Sequence, residues 1–172
     1  MIRKAHAGDI DRVAEIYEAI HASEERGELT VGWARGVYPV RETARAAVER
    51  SDLFVSERAG RVETAAILNQ IQVPEYAQCD WKYPAPLEQV MVLHTLVVDP
   101  AAQAGGLGTE LVGFYEQYAR EQGCPYLRMD TQAKNTLARS FYRKLGFWEA
   151  GMVSCTFNNI PGVKLVCLEK KL

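Results

Sequence analysis

Residues 94–111 read "HTLVVDPAAQAGGLGTEL", and this stretch decides the fold because a strand passes into a helix within it. The apolar run ends at Asp99, and Gly105, Gly106 and Gly108 then open a segment with helical spacing of apolar residues. The start of a helix leaves backbone N–H groups without partners and carries partial positive charge. Glycines there let an anion approach these groups closely, so the stretch predicts a phosphate site. The alternative is that the glycines only form a tight turn.

Two common phosphate-binding motifs do not fit this stretch. A Walker loop needs a lysine after its last glycine, and Gly108 is followed by Thr109. A dinucleotide-binding motif that starts at Gly106 needs a glycine where Leu111 stands, and the elements predicted before it are wrong for that fold. The pattern that fits is Q-x-x-G-x-G, which runs from Gln103 to Gly108.

Hydrophobic spacing on both sides of this stretch predicts helices alternating with strands. Helices are expected at residues 9–22 and 41–50, after the glycines, and after Asn135, where Leu137, Phe141 and Leu145 form an apolar stripe. Strands are expected at residues 53–57, 62–71, 89–98 and 126–130, followed by two C-terminal strands joined by an Asn-Pro-Gly turn region. Two strand–helix–strand units in a mostly antiparallel sheet predict a mixed α/β fold, organised as one domain over residues 1–172.

The glycine motif and a second segment together resemble the GNAT superfamily of acyl-CoA-dependent N-acetyltransferases. The segment "LHTLVVDPAAQAGGLGTELV" is similar to the cofactor motif of that family, and "NTLARSFYRKLGF" is similar to its second motif. The resemblance is strongest over residues 90–147, and the predicted order of elements agrees with it. Gln103 departs from the pattern, because arginine is common at that position in the family. The backbone N–H groups are therefore expected to carry more of the phosphate contact.

This resemblance implies acetyl-CoA as the co-substrate and assigns residues to it. The strand end at Leu96, Val97 and Val98 would pair with the pantetheine arm, and the pyrophosphate would lie on N–H groups of the turn. Asn135 is expected to hold the cofactor arm or the neighbouring loop, or only to cap its helix. The turn residues assigned to the cofactor are Gln103, Ala104, Gly105, Gly106, Leu107, Gly108 and Thr109.

The reaction that the resemblance implies is direct attack of a primary amine on the acetyl thioester, with Tyr142 as general acid for the departing thiolate. Core packing is the alternative for Tyr142, although its offset of about 100° from the apolar stripe of its helix does not require it. His94 is a candidate base with a suitable pKa, and a buried histidine within the sheet is the alternative. Glu88 would relay protons through water, or is a solvated loop carboxylate. A chain of water molecules without a side-chain base is also open.

Five aromatic residues are candidates for the amine pocket because aromatic faces bind cations. Two lie between the first two helices and three in the long loop at residues 73–87, and packing of these loops onto the sheet is the equal alternative. They are Trp33, Tyr38, Tyr76, Trp81 and Tyr83. The expected acceptor is a primary amine of a small molecule or a peptide N-terminus. A non-catalytic acyl-CoA-binding or sensing module is the alternative function, and Tyr142 favours the enzyme.

The composition limits the classes of partner and the cellular location that are expected. The chain has 172 residues, 48% of them hydrophobic, and a formal net charge of −2, so no nucleic-acid or acidic-membrane surface is expected. No apolar run is long enough for a membrane span and no signal-peptide core is found, so a cytoplasmic protein is expected. The four cysteines are scattered without metal-ligand spacing, which predicts reduced thiols and no metal site. Whether the chain forms a homodimer is left open.

Overall fold

The computed structural model describes residues 1–102 and 105–172, so Gln103 and Ala104 lie outside the described residues. Within them, seven strands form a sheet in the order β1-β2-β3-β4-β5-β7-β6, in which only β4 and β5 are parallel neighbours. This confirms the predicted mixed α/β fold with a mostly antiparallel sheet. The strands are β1 (Ile2–Lys4), β2 (Leu53–Arg58), β3 (Arg61–Asn69), β4 (Val90–Val98), β5 (Tyr126–Gln132), β6 (Trp148–Phe157) and β7 (Ile160–Lys171).

Helices cover both faces of this sheet, because successive side chains of a strand point to opposite sides. Val55 and Ala65 share one apolar cluster with the first two helices, whereas Phe54 and Ala66 share another with the last two. A three-layer arrangement follows, with the sheet in the middle. The helices are α1 (Ile10–Glu25), α2 (Arg41–Glu49), α3 (Leu107–Glu121) and α4 (Thr136–Lys144).

Both predicted strand–helix–strand units are present, but the spacing of their strands differs. The first is confirmed, since β4, α3 and β5 form a unit whose strands are parallel neighbours. In the second, formed by β5, α4 and β6, the two strands also run parallel, since both pair antiparallel with β7, which lies between them. The C-terminal strand β7 therefore lies beside β5 and separates it from β6.

Two further local expectations need correction. Residues 2–4 form β1, which three residues are too few to reveal by an alternating pattern. The C-terminal hairpin turns at Asn158 and Asn159, whose φ angles are 50° and 61°, while Pro161 and Gly162 lie within β7. Asparagine tolerates the left-handed conformation that a two-residue hairpin turn demands, so within the expected Asn-Pro-Gly region the asparagines alone form the turn.

Helix α4 buries a different face from the predicted apolar stripe. Leu137 is 72% exposed, whereas Tyr142 is 6% exposed and belongs to the core cluster beneath α3. Phe141 and Leu145 are partly buried against the same cluster. The predicted burial of the stripe is wrong at Leu137, because this residue lies beside a cavity rather than against a neighbouring element.

Candidate functional site

The sheet opens between its two parallel strands. The pairing of β4 with β5 ends at Leu93 and Met129. On its other edge β4 has one more residue than β3 between His94 and Val97, which is a β-bulge, and Thr95 within it has a φ of 49°. A bulge bends its strand, so the end of β4 turns away from β5.

A cavity of about 650 Å³ occupies this gap. Its wall draws on α3 and α4 from one face of the sheet and on the connection between α1 and α2 from the other. An unpaired strand edge in such a gap offers N–H and C=O groups to an extended ligand. The wall includes His94, Leu96, Val97, Val98, Gly108, Asn135 and Tyr142 from the predicted catalytic and cofactor residues, and Trp33 and Tyr38 from the predicted acceptor residues.

The glycines at the start of α3 have separate structural roles. Gly106 is the N-cap residue and has a φ of 84°, a left-handed conformation that glycine adopts without strain. Gly108 lies against α4, since a Cβ there would be 3.3 Å from Cζ of Phe141. Gly105 has open space around it. Leu107 is buried and Thr109 lies in the first turn of α3, so the described part of the turn ends in a helix N-terminus beside the cavity.

Asp99 fixes the strand end in front of this turn. Its side chain is 4% exposed, accepts a hydrogen bond from the Ala101 N–H at 2.9 Å, and forms ion pairs with Arg12 and Arg61. Burial opposes ionisation, but these contacts outweigh it and lower the pKa of Asp99. The turn therefore starts from an anchored carboxylate.

Tyr142 is both a core residue and part of the cavity wall. Its ring lies 5.1 Å from that of Phe141 and 5.8 Å from that of Phe147, centroid to centroid. Burial raises the pKa of Tyr142 well above its ordinary range, and the charge of Asp130 raises it further. The hydroxyl therefore stays protonated at neutral pH.

His94 lies on β4 at the bulge, with its ring held by a neighbouring amide. Its Nε2 is 3.0 Å from Oδ1 of Asn69, whose Nδ2 donates to Asp52 at 2.9 Å. Because the contact with Asp52 sets the orientation of the amide, Nε2 of His94 must be the donor. Burial lowers the pKa of His94 to about 4, so the imidazole is neutral at pH 7 and its Nδ1 carries a lone pair.

Asn135 caps α4 and also lies on the cavity wall. It is the N-cap residue of α4, and its Oδ1 accepts a hydrogen bond from the Ala138 N–H at 3.1 Å. It also lines the cavity. A capping side chain at this point holds the start of α4, and with it the approach to Tyr142, in a fixed place.

The connection between α1 and α2 is tied to the end of β5 through a glycine. Gln132 donates from Nε2 to the carbonyl oxygen of Gly32, and the Gly32 N–H donates to Oε1 of Glu24 at 2.6 Å. Gly32 has a φ of 92°, and a Cβ there would lie 2.1 Å from Oε1 of Gln132. Only glycine allows this contact, so residue 32 holds the connection against the strand.

The same connection places two of the predicted acceptor residues on the cavity wall. The rings of Trp33 and Tyr38 meet edge to face with centroids 6.1 Å apart. The hydroxyl of Tyr38 forms a hydrogen bond with Oγ1 of Thr95, within the bulge of β4. The aromatic wall is therefore fixed to the strand that opens the gap.

The other three predicted acceptor residues lie outside the cavity wall, in the loop at residues 73–87. Tyr76 is 2% exposed, and the Trp81 indole N–H donates to its carbonyl oxygen at 2.8 Å. The Arg128 guanidinium lies 4.1 Å from the Trp81 ring centroid, and the Tyr83 ring lies 5.9 Å from that of Tyr126. These contacts favour the packing alternative, in which the loop covers one face of the sheet.

Glu88 is also placed away from the cavity. It is exposed and lies before the first residue of β4, seven residues from Thr95. At the rise of an extended strand this is on the order of 20 Å, too far for a direct role as base. The solvated carboxylate is the alternative that its position favours.

Asp130 is a cavity residue that the sequence analysis did not include. It lies on β5 just beyond the last residue paired with β4, and its Oδ2 accepts a hydrogen bond from the Tyr76 hydroxyl at 2.6 Å. Burial raises the pKa of Asp130 to about 6, although the Tyr76 contact works in the opposite direction. The sequence feature that could have indicated Asp130 as a cavity residue is its place at the end of the apolar segment "YLRMD".

The described residues add three findings outside the cavity. No group of three or more His, Cys, Asp or Glu side chains in residues 1–102 and 105–172 is arranged to hold a metal ion. In the same part of the chain, no helix has the length and apolarity that crossing a membrane requires. Cys79, Cys124, Cys155 and Cys167 are free thiols, two of them buried and two partly buried.

Comparisons with known sequences agree with this geometry. A sequence model described as "Acetyltransferase (GNAT) family" matches residues 18–147. Aminoglycoside N(6')-acetyltransferase type 1 of Klebsiella aerogenes is 36% identical over 66 residues, which are 38% of this chain and 43% of that protein. The matched segments span less than half the length of the curated relatives, 33% in one and 43% in another.

Solved structures share the fold over nearly the whole chain. A GNAT-family acetyltransferase of Streptococcus agalactiae has a TM-score of 0.81 at 20% identity, with 100% of this chain and 95% of that chain covered. A Salmonella typhimurium protein solved with its cofactor acetyl-CoA has a TM-score of 0.70 at 20% identity, with 100% and 93% covered. The family match takes in well over half of the residues, including the turn before α3 and Tyr142. This chain therefore belongs to the GNAT family of acetyltransferases.

Proposed function

We propose that this chain is an N-acetyltransferase that transfers the acetyl group of acetyl-CoA to a primary amine. The observation that carries the proposal is the gap between β4 and β5, where an open strand edge leads to the side chain of Tyr142. Because the cavity wall is built from both faces of the sheet, two substrates can enter from opposite sides and meet inside it.

The residues around the gap fit the chemical parts of acetyl-CoA. The backbone of Leu96, Val97 and Val98 would pair with the amides of the pantetheine arm, and the N-terminus of α3 would bind the pyrophosphate. Leu137 supports this placement, because it is a large apolar side chain that is 72% exposed beside the cavity and would be covered by the arm. The shared fold of the Salmonella typhimurium protein, solved with acetyl-CoA, agrees with it.

Acetyl-CoA would supply a thioester carbonyl for the amine to attack. The reaction forms a C–N bond, breaks the C–S bond and releases one proton for each ammonium consumed. Tyr142 would donate the proton that the sulfur takes up. Its raised pKa does not prevent this transfer, because the apolar surroundings that raise the pKa of the phenol also raise that of a thiol.

The base in this proposal is a water chain that Nδ1 of neutral His94 helps to orient. A primary amine has a pKa of about 10.4 in a lysine side chain, so one proton must leave before attack. His94 is too weak a base, at a pKa of about 4, to hold that proton for long. Transfer of this proton through the water chain to solvent is consistent with the pKa of the amine and with that of His94.

The acceptor in the proposal is a small-molecule amine or a peptide N-terminus. The Klebsiella aerogenes relative is named for an aminoglycoside, which carries amino groups, and this supports an amine as the acceptor class. The aromatic wall formed by Trp33 and Tyr38 supports it as well, since ring faces attract ammonium groups.

A panel of amines and short peptides with acetyl-CoA, followed by detection of free thiol, tests the proposal. Thiol release should depend on the amine and should match the amount of acetylated product found by mass spectrometry. Binding of acetyl-CoA without thiol release from any amine would favour the sensing module instead. A folded protein that does not bind acetyl-CoA would remove both functions.

A further inference from the structure

The charges around the cavity are unevenly distributed. Asp130 and Glu28 contribute carboxylates to the wall, and among the residues that the structure describes the wall holds no lysine or arginine side chain. The stem of Lys134 passes Gly32, but Lys134 is exposed and does not belong to the wall. A poorly solvated space with this balance attracts a cation and repels an anion.

Asp130 is the carboxylate that sets this field. Glu28 is about half exposed and is paired with Arg26 at 2.7 Å, so much of its charge is neutralised or screened. Asp130 is held inside the sheet by the Tyr76 hydroxyl at Oδ2, which leaves Oδ1 as the oxygen that a ligand can engage. Its negative charge adds to burial in raising the pKa of Tyr38 and of Tyr142, which lie on opposite faces of the sheet.

The space beside Asp130 is otherwise aromatic and apolar. Trp33 and Tyr38 form one wall, and Phe157 and Ile160 contribute from the hairpin of β6 and β7. An ammonium group can contact the carboxylate and a ring face together, while the rest of the molecule contacts apolar surface. A carboxylate on the same carbon as the amine would lie only a few ångströms from Asp130, without a guanidinium or ammonium on the wall to compensate.

We propose that the acceptor is an amine with one positive charge, an apolar or aromatic body and no carboxylate on the carbon that bears the amine, and that Asp130 binds its ammonium group. This inference rests on the proposed acetyl transfer and names its substrate class. Free α-amino acids are excluded by the same charge balance that admits arylalkyl amines.

Three acceptors of matched shape test the charge rule. 2-Phenylethylamine, phenylalaninol and phenylalanine share the ring and the amine, and only phenylalanine adds a carboxylate. We expect kcat/KM from thiol release to be at least tenfold higher for the first two than for phenylalanine. Equal use of phenylalanine and phenylalaninol would overturn the proposal.

Asp130→Asn tests the residue. The amide keeps the shape of the side chain and can still accept from the Tyr76 hydroxyl, so a loss of charge is separated from a loss of packing. We expect the KM for 2-phenylethylamine to rise tenfold or more while the KM for acetyl-CoA stays unchanged. Asp80→Asn is the control, since Asp80 is exposed and lies outside the cavity wall, and it should behave like wild type. An unchanged amine KM in Asp130→Asn would overturn the assignment.

Calorimetric binding to the complex with CoA separates this inference from the proposed function. CoA without the acetyl group cannot react, so amine binding is measured without turnover. If acetyl-CoA binds but no panel amine releases thiol, 2-phenylethylamine must still bind at least tenfold more tightly than phenylalanine, or the inference fails by itself. Absence of acetyl-CoA binding would instead remove the proposed function and the inference with it.

Discussion

Tyr142 is surrounded by aromatic rings and yet reaches the cavity, so the single substitution Tyr142→Phe separates its two roles. Its pKa is raised by burial and by the charge of Asp130, and no hydrogen bond to a described residue contributes to the shift. Removing the hydroxyl should therefore leave stability nearly unchanged. We expect kcat to fall by roughly 10²–10⁴-fold, the range for one positioned acid, with the KM for acetyl-CoA little changed.

Tyr115→Phe is the matched control for that variant. The Tyr115 hydroxyl is fully buried, and its single hydrogen is shared between the carbonyl oxygens of Met91 and Arg128, at 2.7 and 3.1 Å. Its loss should cost about 1–3 kcal/mol of unfolding free energy, because two buried acceptors lose a donor. The rate per folded molecule should stay at the wild-type value. A fully active Tyr142→Phe protein would contradict the role of Tyr142 as acid.

His94 links the site to the pH dependence of stability. Its pKa is about 4 in the folded protein and 6.5 in its ordinary state, so between these values the unfolded chain binds the proton and the folded chain does not. Stability contributed by His94 is therefore present above pH 6.5 and is lost as the pH falls toward 4. The difference in unfolding free energy between wild type and His94→Gln should shrink over that interval, in urea titrations at several pH values. A constant difference would contradict the burial of a neutral imidazole.

At the scale of elements, the connection between α1 and α2 depends on one glycine. Gly32→Ala places a methyl group against Gln132 and forces a positive φ on alanine. We expect a loss of about 1–3 kcal/mol of stability, with a raised KM for the amine because Trp33 is displaced. Gly36→Ala is the control, since its φ is 73° but no atom lies within 4 Å of the added group.

The two variants of this connection share the backbone penalty and differ in the contact with β5. The amine KM should therefore rise in Gly32→Ala and stay near wild type in Gly36→Ala. Equal kinetics in both would show that the contact between Gly32 and Gln132 does not position the acceptor wall.

Element by element, the sequence predicted what local patterns determine. The apolar run of β4 and the spacing that begins at Leu107 were sufficient for the strand and helix that flank the turn. Contacts between distant segments were not predictable in this way. The bulge at Thr95, the insertion of β7 beside β5 and the hydrogen bond from Tyr76 to Asp130 all depend on partners far away in the chain.

The same reasoning explains the mixed outcome for the candidate site. Tyr142 was assigned through the resemblance of its segment to a family motif and His94 through its residue type within an apolar strand, and both line the cavity. The five aromatic residues were chosen by type alone, and the structure places two of them on the wall. Trp81 could be separated from Trp33 only by knowing which loop covers which face of the sheet.

At the scale of the whole molecule, a bound cofactor would join β4, α3 and α4 and should stabilise the fold. A ligand at 100 times its Kd adds about 2.7 kcal/mol to the unfolding free energy. For a chain of this size that corresponds to a rise in Tm of roughly 5–10 °C. CoA should produce this rise in a thermal melt of the wild-type protein, whereas adenosine alone should produce little.

Gly105 allows the phosphate site to be tested against the stability of the turn. It has open space around it, so Gly105→Ala should keep both the fold and the rise in Tm with CoA. Gly105→Asp adds a negative charge near the start of α3, where the helix dipole favours it in the free protein. The same charge repels a pyrophosphate, so the Tm without ligand should hold or increase while the rise with CoA largely disappears. If CoA raised the Tm of Gly105→Asp as much as that of Gly105→Ala, the phosphates would bind elsewhere and the glycines would serve only to form the turn.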